Sequence, residues 1–224
     1  MKKLYSIIFF INTLMAGFPE SYYKLPIKEQ KKEFKKILVP MVEKENQKIL
    51  KERNEVIKIF KDPYFIMNTE ERLKLAKLAK KYKIKDIYNK EEFLKKIDTI
   101  PVDLVLAQGA VESAWGRSYF VREANNMFGE WDYSGRGMIP RRRDPGKTHT
   151  IRVFKSLEDS LASYMRNLNR NPAYKEFREL RYQYKKEHKP FSAEVAATTL
   201  KRYSQLGDEY VKMLKVMIKQ FKRN

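Results

Sequence analysis

Apolar residues recur at spacings of three and four along most of this chain, and this periodicity constrains the fold more than any other feature. It is clearest in KKEFKKILVPMVEKENQKILKERNEVIKIF, residues 31–60. Such spacing places apolar side chains on one face of an α-helix. Pro40 predicts a kink or a break here, because proline lacks the backbone donor of a helix. The apolar positions are Phe34, Ile37, Leu38, Met41, Ile49, Leu50, Val56, Ile57 and Phe60.

Helix start signals recur further along the chain. Thr69 precedes two glutamates and is predicted to be an N-cap, and Asp103 is predicted to cap a helix that includes residue 112. Ser156 with Asp159 and Asn171 with Pro172 are typical of two later helix starts. Gly207 separates the last two predicted helices.

The sequence changes character between Trp131 and Phe154. Glycines and prolines cluster there, and an alternating pattern follows through Thr148, Ile151 and Val153. This pattern predicts a β-hairpin or an irregular lobe. The predicted fold class is therefore mainly α, with one small β insertion.

The composition excludes several kinds of chemistry. No cysteine is present, which excludes disulfides, a thiolate nucleophile and cysteine-ligated zinc, and only two histidines occur. We therefore expect catalysis, if any, from carboxylates, tyrosines or the backbone, with no metal and no cofactor. The 224 residues include 48 Lys and Arg but only 28 Asp and Glu. The resulting net charge of +20 attracts polyanions.

The N-terminus resembles a secretory signal peptide. MKKLYSIIFFINTLMAGFPE starts with two lysines, continues through an apolar stretch and reaches small residues at Ala16 and Gly17. We expect residues 1–17 to be a signal peptide, with an uncleaved anchor as the alternative. Export to the periplasm or cell envelope argues against nucleic acid as a partner and favours anionic polymers of the envelope. The lysines of residues 31–60 are expected to form a solvated face, with contact to an anionic membrane or cell-wall surface as the alternative.

Glu112 is a lone acid in the small, apolar stretch AQGAVESAWG. No Lys or Arg lies three or four residues away, and Arg117 falls on a different helical face. Burial without a cationic partner raises the pKa of a carboxyl group, and a protonated carboxyl can serve as the general acid of glycoside hydrolysis. A structural carboxylate, hydrogen-bonded to a neighbouring loop, is the alternative interpretation.

The segment AQGAVESAWGRSYFVREANNMFG resembles the catalytic signature of bacterial glucosaminidases of glycoside hydrolase family 73. These are glucosaminidases of the mannosyl-glycoprotein endo-β-N-acetylglucosaminidase type. The likeness is strongest to the envelope-associated Bax-like branch. The upstream segment FKKILVPMVEKENQKILKERNEV also resembles the N-terminal extension of that branch. YSQLGDEYVKML is similar to the C-terminal tyrosine motif of the family, and the likeness covers most of the mature chain.

The resemblance implies a lysozyme-like, α-rich fold with a small β-hairpin lobe beside a cleft. It implies a lysine-rich helical extension over residues 18–98 and a glucosaminidase domain over residues 99–224. It assigns the role of general acid to Glu112. Five further residues are expected to contact the substrate or shape the cleft. They are Asn126, Phe128, Gly129 and the two tyrosines of the C-terminal motif, Tyr203 and Tyr210.

A second catalytic carboxylate is not determined by the sequence. Glu130 and Asp132 are equal candidates, whereas Asp144 is better interpreted as a partner of Arg141–Arg143 or as a turn residue. The N-acetyl group of the substrate is a third candidate for the nucleophile. Trp131, beside the glycine-rich turn, is the best candidate for stacking on a sugar, while core packing competes with sugar contact for Trp115 and Phe128.

These inferences predict an exported, monomeric peptidoglycan hydrolase that cleaves β-1,4 bonds next to N-acetylglucosamine in glycan strands. A lytic transglycosylase also needs only one glutamate and is the second enzymatic hypothesis. A non-catalytic protein for cell-wall binding or assembly is the third hypothesis.

Overall fold

The computed structural model describes residues 16–140, 146 and 148–223. Helices dominate, two 3-10 turns lie at Pro172–Tyr174 and Lys201–Tyr203, and strands β1 (Trp131–Asp132) and β2 (Thr150–Ile151) form the sheet. The prediction of a mainly α fold with a small hairpin is confirmed. The helices are α1 (Glu20–Tyr23), α2 (Ile27–Ile59), α3 (Thr69–Tyr82), α4 (Lys90–Lys96), α5 (Val102–Ser113), α6 (Tyr119–Ala124), α7 (Leu157–Arg170), α8 (Lys175–Lys186), α9 (Ala193–Thr198) and α10 (Asp208–Arg223).

Helix α2 continues through Pro40 for 33 residues, so a break at this proline is ruled out. Pro40 lies on the exposed side of the helix, where water can bond to the carbonyl that loses its helical donor. The opposite side buries Phe34, Leu38 and Val42. One long helix therefore passes across the core and packs against α4, α5 and α7.

Helix α5 lies at the centre of the core. It packs against α2, α9 and α10, and its residues 104–110 are all buried. Gly109 permits the closest approach, because a Cβ atom there would lie 3.1 Å from Sδ of Met127 and 3.6 Å from the ring of Phe34. Tight packing on several sides fixes the axis of α5 and the position of its C-terminal end.

Two predicted helix caps are wrong by one or two residues. Asn68, not Thr69, caps α3, because its side-chain oxygen accepts from the backbone N–H groups of both Glu70 and Glu71. Pro101 occupies the N-cap position of α5. Asp103 lies in the first turn, where its negative charge interacts favourably with the positive end of the helix dipole. The predicted caps at Ser156 and Asn171 are confirmed.

The hairpin is antiparallel, with Trp131 opposite Ile151 and Asp132 opposite Thr150. Met138 adds a further antiparallel bridge to Ile151. The predicted β-hairpin between Trp131 and Phe154 is thus confirmed. Residues 141–145, which include Asp144 and its arginine neighbours, lie outside the described residues.

The chain enters the described structure beside α6. The N–H of Gly17 donates to Oδ1 of Asn125 at 2.7 Å, and Phe18 packs on Tyr22 and Phe34. One hydrophobic core includes residues from both the predicted extension and the predicted domain. Most of the predicted signal peptide, residues 1–15, lies outside the described residues. Within the described part of the chain, no helix combines the length and apolarity needed to cross a membrane.

Candidate active site

Glu112 is the penultimate residue of α5, immediately before a left-handed turn. Ala114, Trp115 and Gly116 have φ angles of 49°, 60° and 74°. Gly116 is required at the third position, because a Cβ atom there would lie 2.3 Å from the ring of Phe18. The turn ends α5 abruptly and leaves the Glu112 carboxyl partly exposed at the helix end.

A chain of hydrogen bonds ends at Glu112. The hydroxyl of Tyr164 donates to Oε1 of Gln108, and Nε2 of Gln108 donates to the hydroxyl oxygen of Tyr210 at 2.9 Å. The Tyr210 hydroxyl in turn donates to Oε1 of Glu112 at 2.8 Å. Gln108 and Tyr210 are buried, so this chain holds one carboxyl oxygen of Glu112 in place from the protein interior.

The surroundings of Glu112 are neutral and aromatic. Burial raises the pKa of Glu112, and the hydrogen bond from Tyr210 lowers it by a smaller amount. No basic side chain among the described residues forms an ion pair with Glu112. The net effect favours the protonated carboxyl, as the isolation of Glu112 in the sequence predicts.

Two more tyrosines lie beside Glu112. Tyr203 stacks on Tyr210 with ring centroids 5.4 Å apart, and Tyr174 lies 6.1 Å from Tyr203. Burial, together with the charges of Glu112 and Glu130, raises the pKa of Tyr174 to about 12. The phenols are therefore neutral at ordinary pH and add no charge to the site.

Asn126 ties the start of the hairpin to its end. Its side-chain oxygen accepts from the N–H of Glu130 at 2.9 Å, while Nδ2 donates to the carbonyls of Glu130 and Arg152 at 2.8 and 2.9 Å. Phe128 stacks on Tyr164 at 3.8 Å. Gly129 has a φ of +65°, which a glycine adopts without strain. Asn126 and Phe128 are thus buried supports of the hairpin and of the hydrogen-bond chain.

Glu130 differs from Glu112 in its partners. Its Oε2 accepts from the hydroxyl of Ser163 at 2.8 Å and pairs with the Arg152 guanidinium at 3.3 Å, whereas Oε1 is buried without a hydrogen bond. Burial raises the pKa of Glu130, and Ser163, Arg152 and Arg166 each lower it. Burial outweighs these partners, so the pKa of Glu130 is raised overall, and its Oε2 is already engaged by Ser163 and Arg152.

Asp132 lies at the exposed side of the hairpin. Its carboxylate accepts from the backbone N–H and the hydroxyl of Ser134 at 2.8 and 2.9 Å. These hydrogen bonds lower the pKa of Asp132, so it is ionised over a wide pH range. Asp132 is accessible to solvent, which Oε1 of Glu130 is not.

The two tryptophans have different environments. Trp115 packs against Phe34 and Phe221 at 5.4 and 5.3 Å, and it borders a cavity of about 450 Å³ that four lysines, residues 31, 32, 35 and 36, also line. Trp131 is 46% exposed and meets His149 edge-on at 4.1 Å. Trp131 is thus available for contact with a sugar, whereas much of Trp115 is occupied by the core.

Comparison with known proteins identifies the family. Residues 87–223, more than half of the chain, match the glucosaminidase model described as mannosyl-glycoprotein endo-beta-N-acetylglucosaminidase. The chain belongs to the glucosaminidase family. It is also 33% identical to Protein bax of Escherichia coli strain K12 over 199 residues, which are 87% of this chain and 70% of that protein. No solved structure matches the chain. Membership supports a function of the glycoside hydrolase type for this chain.

Sequence reasoning missed several residues of the site. Gln108 precedes Glu112 by one helical turn, and this spacing could have identified it as a neighbour. Tyr164, Tyr174 and Arg152 gave no local signal, because their contacts with the site join distant parts of the chain. The described residues also contain no group of three or more His, Asp or Glu side chains arranged to hold a metal ion.

Proposed function

We propose that this glucosaminidase-family protein is an exported peptidoglycan hydrolase that cleaves β-1,4 bonds next to N-acetylglucosamine, with Glu112 as the general acid. The observation that carries the proposal is a partly buried carboxyl group with a neutral donor on one oxygen and no ion-pair partner among the described residues. This combination suits a general acid, because it raises the pKa and the proton stays on the acid until the glycosidic bond breaks.

The direction of the hydrogen bonds supports one position for the acidic proton. Nε2 of Gln108 can only donate, so the Tyr210 oxygen accepts from it and the single Tyr210 proton goes to Oε1 of Glu112. Oε1 is therefore the accepting oxygen of the carboxyl group, and the acidic proton belongs on Oε2. In the proposed reaction Oε2 gives this proton to the leaving sugar oxygen as the C1–O4 bond breaks. Water supplies the hydroxyl group to C1, and its remaining proton restores Glu112.

The second group of the reaction is proposed from the same surroundings. Ser163 and Arg152 already bind Oε2 of Glu130, and its Oε1 is buried. Asp132 is half-buried, and its carboxylate already accepts two hydrogen bonds from Ser134, which lower its pKa. This arrangement favours a role for the N-acetyl group of the substrate as nucleophile, with Asp132 as the alternative base for water.

A lytic transglycosylase is the second candidate function, because engagement of Glu130 by Ser163 and Arg152 suits a reaction that needs one free carboxyl group. Transglycosylation ends the product in an anhydro-sugar and consumes no water. A non-catalytic wall-binding protein is a third candidate, and Glu112 would then be structural.

Mass spectrometry of fragments released from purified peptidoglycan tests the proposal. Wild type is compared with Glu112→Gln, and Glu123→Gln is the control because Glu123 is an exposed acid on α6. Reducing N-acetylglucosamine ends that disappear only in Glu112→Gln would support hydrolysis and the role of Glu112. Anhydro ends would support the transglycosylase, and no fragments from wild type across several wall types would support wall binding alone.

Export, domain division and oligomeric state belong to the same proposal. We propose that residues 1–17 direct export, that residues 18–98 form the extension and that residues 99–224 form the glucosaminidase domain of a monomer. Cell fractionation with N-terminal sequencing tests the first point. A protein that stays in the cytoplasm at full length would overturn it. Light scattering of the purified chain measures the oligomeric state.

A further inference from the structure

One face of α7 places basic side chains next to Glu130. Ser163, Arg166 and Arg170 are three and four residues apart, so they share this face, and the Ser163 hydroxyl bonds to Glu130 at 2.8 Å. The charge of Arg166 lowers the pKa of Glu130, and burial together with the charges of Arg166 and Arg152 lowers the pKa of Arg170. Arg152 therefore pairs directly with the Glu130 carboxylate, and Arg166 and Arg170 act on it through their charges from the same side of α7.

Two of these arginines have no acidic partner. Glu130 is paired with Arg152, whereas neither Arg166 nor Arg170 forms an ion pair with any described residue. Nε of Arg166 is buried without a hydrogen bond. Buried donors normally have partners, so Nε of the half-buried Arg166 is a donor that an anionic ligand can use.

A large basic cavity begins at Arg170. Its volume is about 920 Å³, and seven basic side chains line it against three acidic ones. The three acids, Glu91, Glu92 and Glu179, are each already paired with a lysine of the same cavity. Lys83, Lys85 and Arg170 form no ion pair among the described residues, so the surplus positive charge faces the cavity.

A 3-10 turn connects the cavity with the candidate active site. Pro172 of this turn lines the cavity, and the Tyr174 ring lies 6.1 Å from Tyr203, which stacks on Tyr210, the hydrogen-bond partner of Glu112. A glycan bound at Glu112 could therefore extend a substituent past Tyr174 to Arg170. Planar guanidinium groups bind carboxylates through two parallel hydrogen bonds, which makes carboxylate the best-matched anion.

We propose that Arg166, Arg170 and the basic cavity beyond them bind carboxylates carried by the substituents of the glycan strand. This proposal rests on the proposed function and names the substrate class: strands whose muramic acid carries a free lactyl carboxylate or a carboxylate-bearing peptide. A neutral polymer of N-acetylglucosamine lacks this group and is a poorer substrate.

The test compares three substrates in steady-state kinetics. These are neutral N-acetylglucosamine oligomers, glycan strands stripped of peptides by an amidase, and strands that keep their peptides. Arg170→Gln and the double variant Arg166→Gln/Arg170→Gln are expected to raise KM on peptide-bearing strands about tenfold or more, since charged hydrogen bonds are lost. The kcat on these strands and all constants on the neutral oligomers should stay unchanged. Arg122→Gln, an exposed arginine on α6 outside the cavity, is the control.

The three substrates also distinguish the two carboxylate sources. An equal rise in KM on stripped strands would assign the site to the lactyl carboxylate, and a rise confined to peptide-bearing strands would assign it to the peptide. An equal loss on neutral oligomers, or no change on any substrate, would overturn the proposal. Arg170→Lys, which keeps the charge but not the two-point geometry, should fall between wild type and Arg170→Gln, and thermal unfolding of each variant excludes a folding defect.

A binding measurement separates this proposal from the proposed function. Calorimetry with the Glu112→Gln chain measures the affinity for a muropeptide and for the same muropeptide with its carboxylates amidated. If wild type cleaves no substrate, the proposed function fails, but a weaker affinity for the amidated ligand that depends on Arg170 would still support the carboxylate site. Equal affinity for both ligands would overturn it.

Discussion

Glu112 and Glu130 are two partly buried carboxyl groups with contrasting surroundings. Glu112 accepts one hydrogen bond from a neutral phenol, at the end of a helix buried on several sides. Glu130 accepts from Ser163 and pairs with Arg152, on a small hairpin beside α7. Burial raises the pKa of both, but only Glu130 has cations that oppose the rise.

This difference predicts different roles for the two regions. A carboxyl group without cations can hold a proton for the proposed reaction. The carboxyl group of Glu130 is bound by Ser163 and Arg152 and helps to fix the hairpin on α7. The α5 side is therefore expected to determine kcat, and the hairpin with α7 is expected to determine KM and stability. Each prediction below tests one part of this division.

The largest expected effect is on turnover. Glu112→Gln should lower kcat by about 10²–10⁴-fold, the usual contribution of general acid catalysis. Glu130→Gln should cost about tenfold or less, about 1.4 kcal/mol of transition-state stabilisation. Kinetics on soluble glycan fragments measure both variants, with Asp132→Asn in parallel. A loss in Glu130→Gln or Asp132→Asn as large as that in Glu112→Gln would assign a second catalytic carboxylate and contradict the division.

Stability should change in opposite directions in the same two glutamine variants. Glu130→Gln removes the ion pair with Arg152 and should lower the free energy of unfolding by about 1 kcal/mol or less, because the Arg152 side chain is 44% exposed and water solvates its charge. Glu112→Gln removes a carboxyl whose ionisation is disfavoured in the folded state, so stability should stay equal or rise by up to about 1 kcal/mol.

The sign of the Glu112 effect depends on pH. Because the folded-state pKa of Glu112 is raised, the wild type loses stability as pH rises from the unfolded pKa through the folded pKa. Glutamine does not titrate, so the advantage of Glu112→Gln should appear at neutral pH and vanish at low pH. Urea unfolding at the two pH values measures it. A destabilised Glu112→Gln at neutral pH would indicate a structural carboxylate instead.

The sequence predicted the Glu112 side of this comparison better than the Glu130 side. The small apolar neighbours of Glu112 and the absence of a basic residue at helical spacing are local properties of the sequence. They hold in the structure because α5 is a regular helix at these positions. The Tyr210 donor and the Gln108–Tyr164 contact join residues 98 and 56 positions apart, which no periodicity encodes. The resemblance to glucosaminidases indicated Tyr210 but not its partner.

Competing local groups explain the errors in the helix caps. Asn68 stands next to Thr69 and bonds two N–H groups, and Pro101 starts α5 before Asp103 is reached. The engagement of Glu130 by Arg152 and Ser163 depends on the packing of the hairpin on α7. For that reason the sequence left Glu130 and Asp132 as equal candidates.

A change in pH dependence is the next smaller effect. Tyr210→Phe removes the hydrogen bond that lowers the pKa of Glu112, so this pKa should rise further. Because the proposed reaction needs protonated Glu112, activity should persist to higher pH than in wild type, with a lower kcat from the loss of positioning. Profiles of kcat against pH measure the alkaline limb. Tyr203→Phe is the matched control, since Tyr203 stacks on Tyr210 without bonding to Glu112, and its limb should stay in place. A shift of the limb to lower pH in Tyr210→Phe would contradict the direction of the Tyr210 effect.

The smallest expected effect concerns sugar binding by the hairpin. Trp131 is 46% exposed and directly follows Glu130, so Trp131→Ala should raise KM about fivefold, equivalent to about 1 kcal/mol of aromatic contact. Its kcat and melting temperature should stay near those of wild type, and Trp131→Phe should recover most of the affinity because it keeps an aromatic face. A lower kcat at constant KM would instead place Trp131 with Glu112 in the chemical step, and the division between the two regions would then fail.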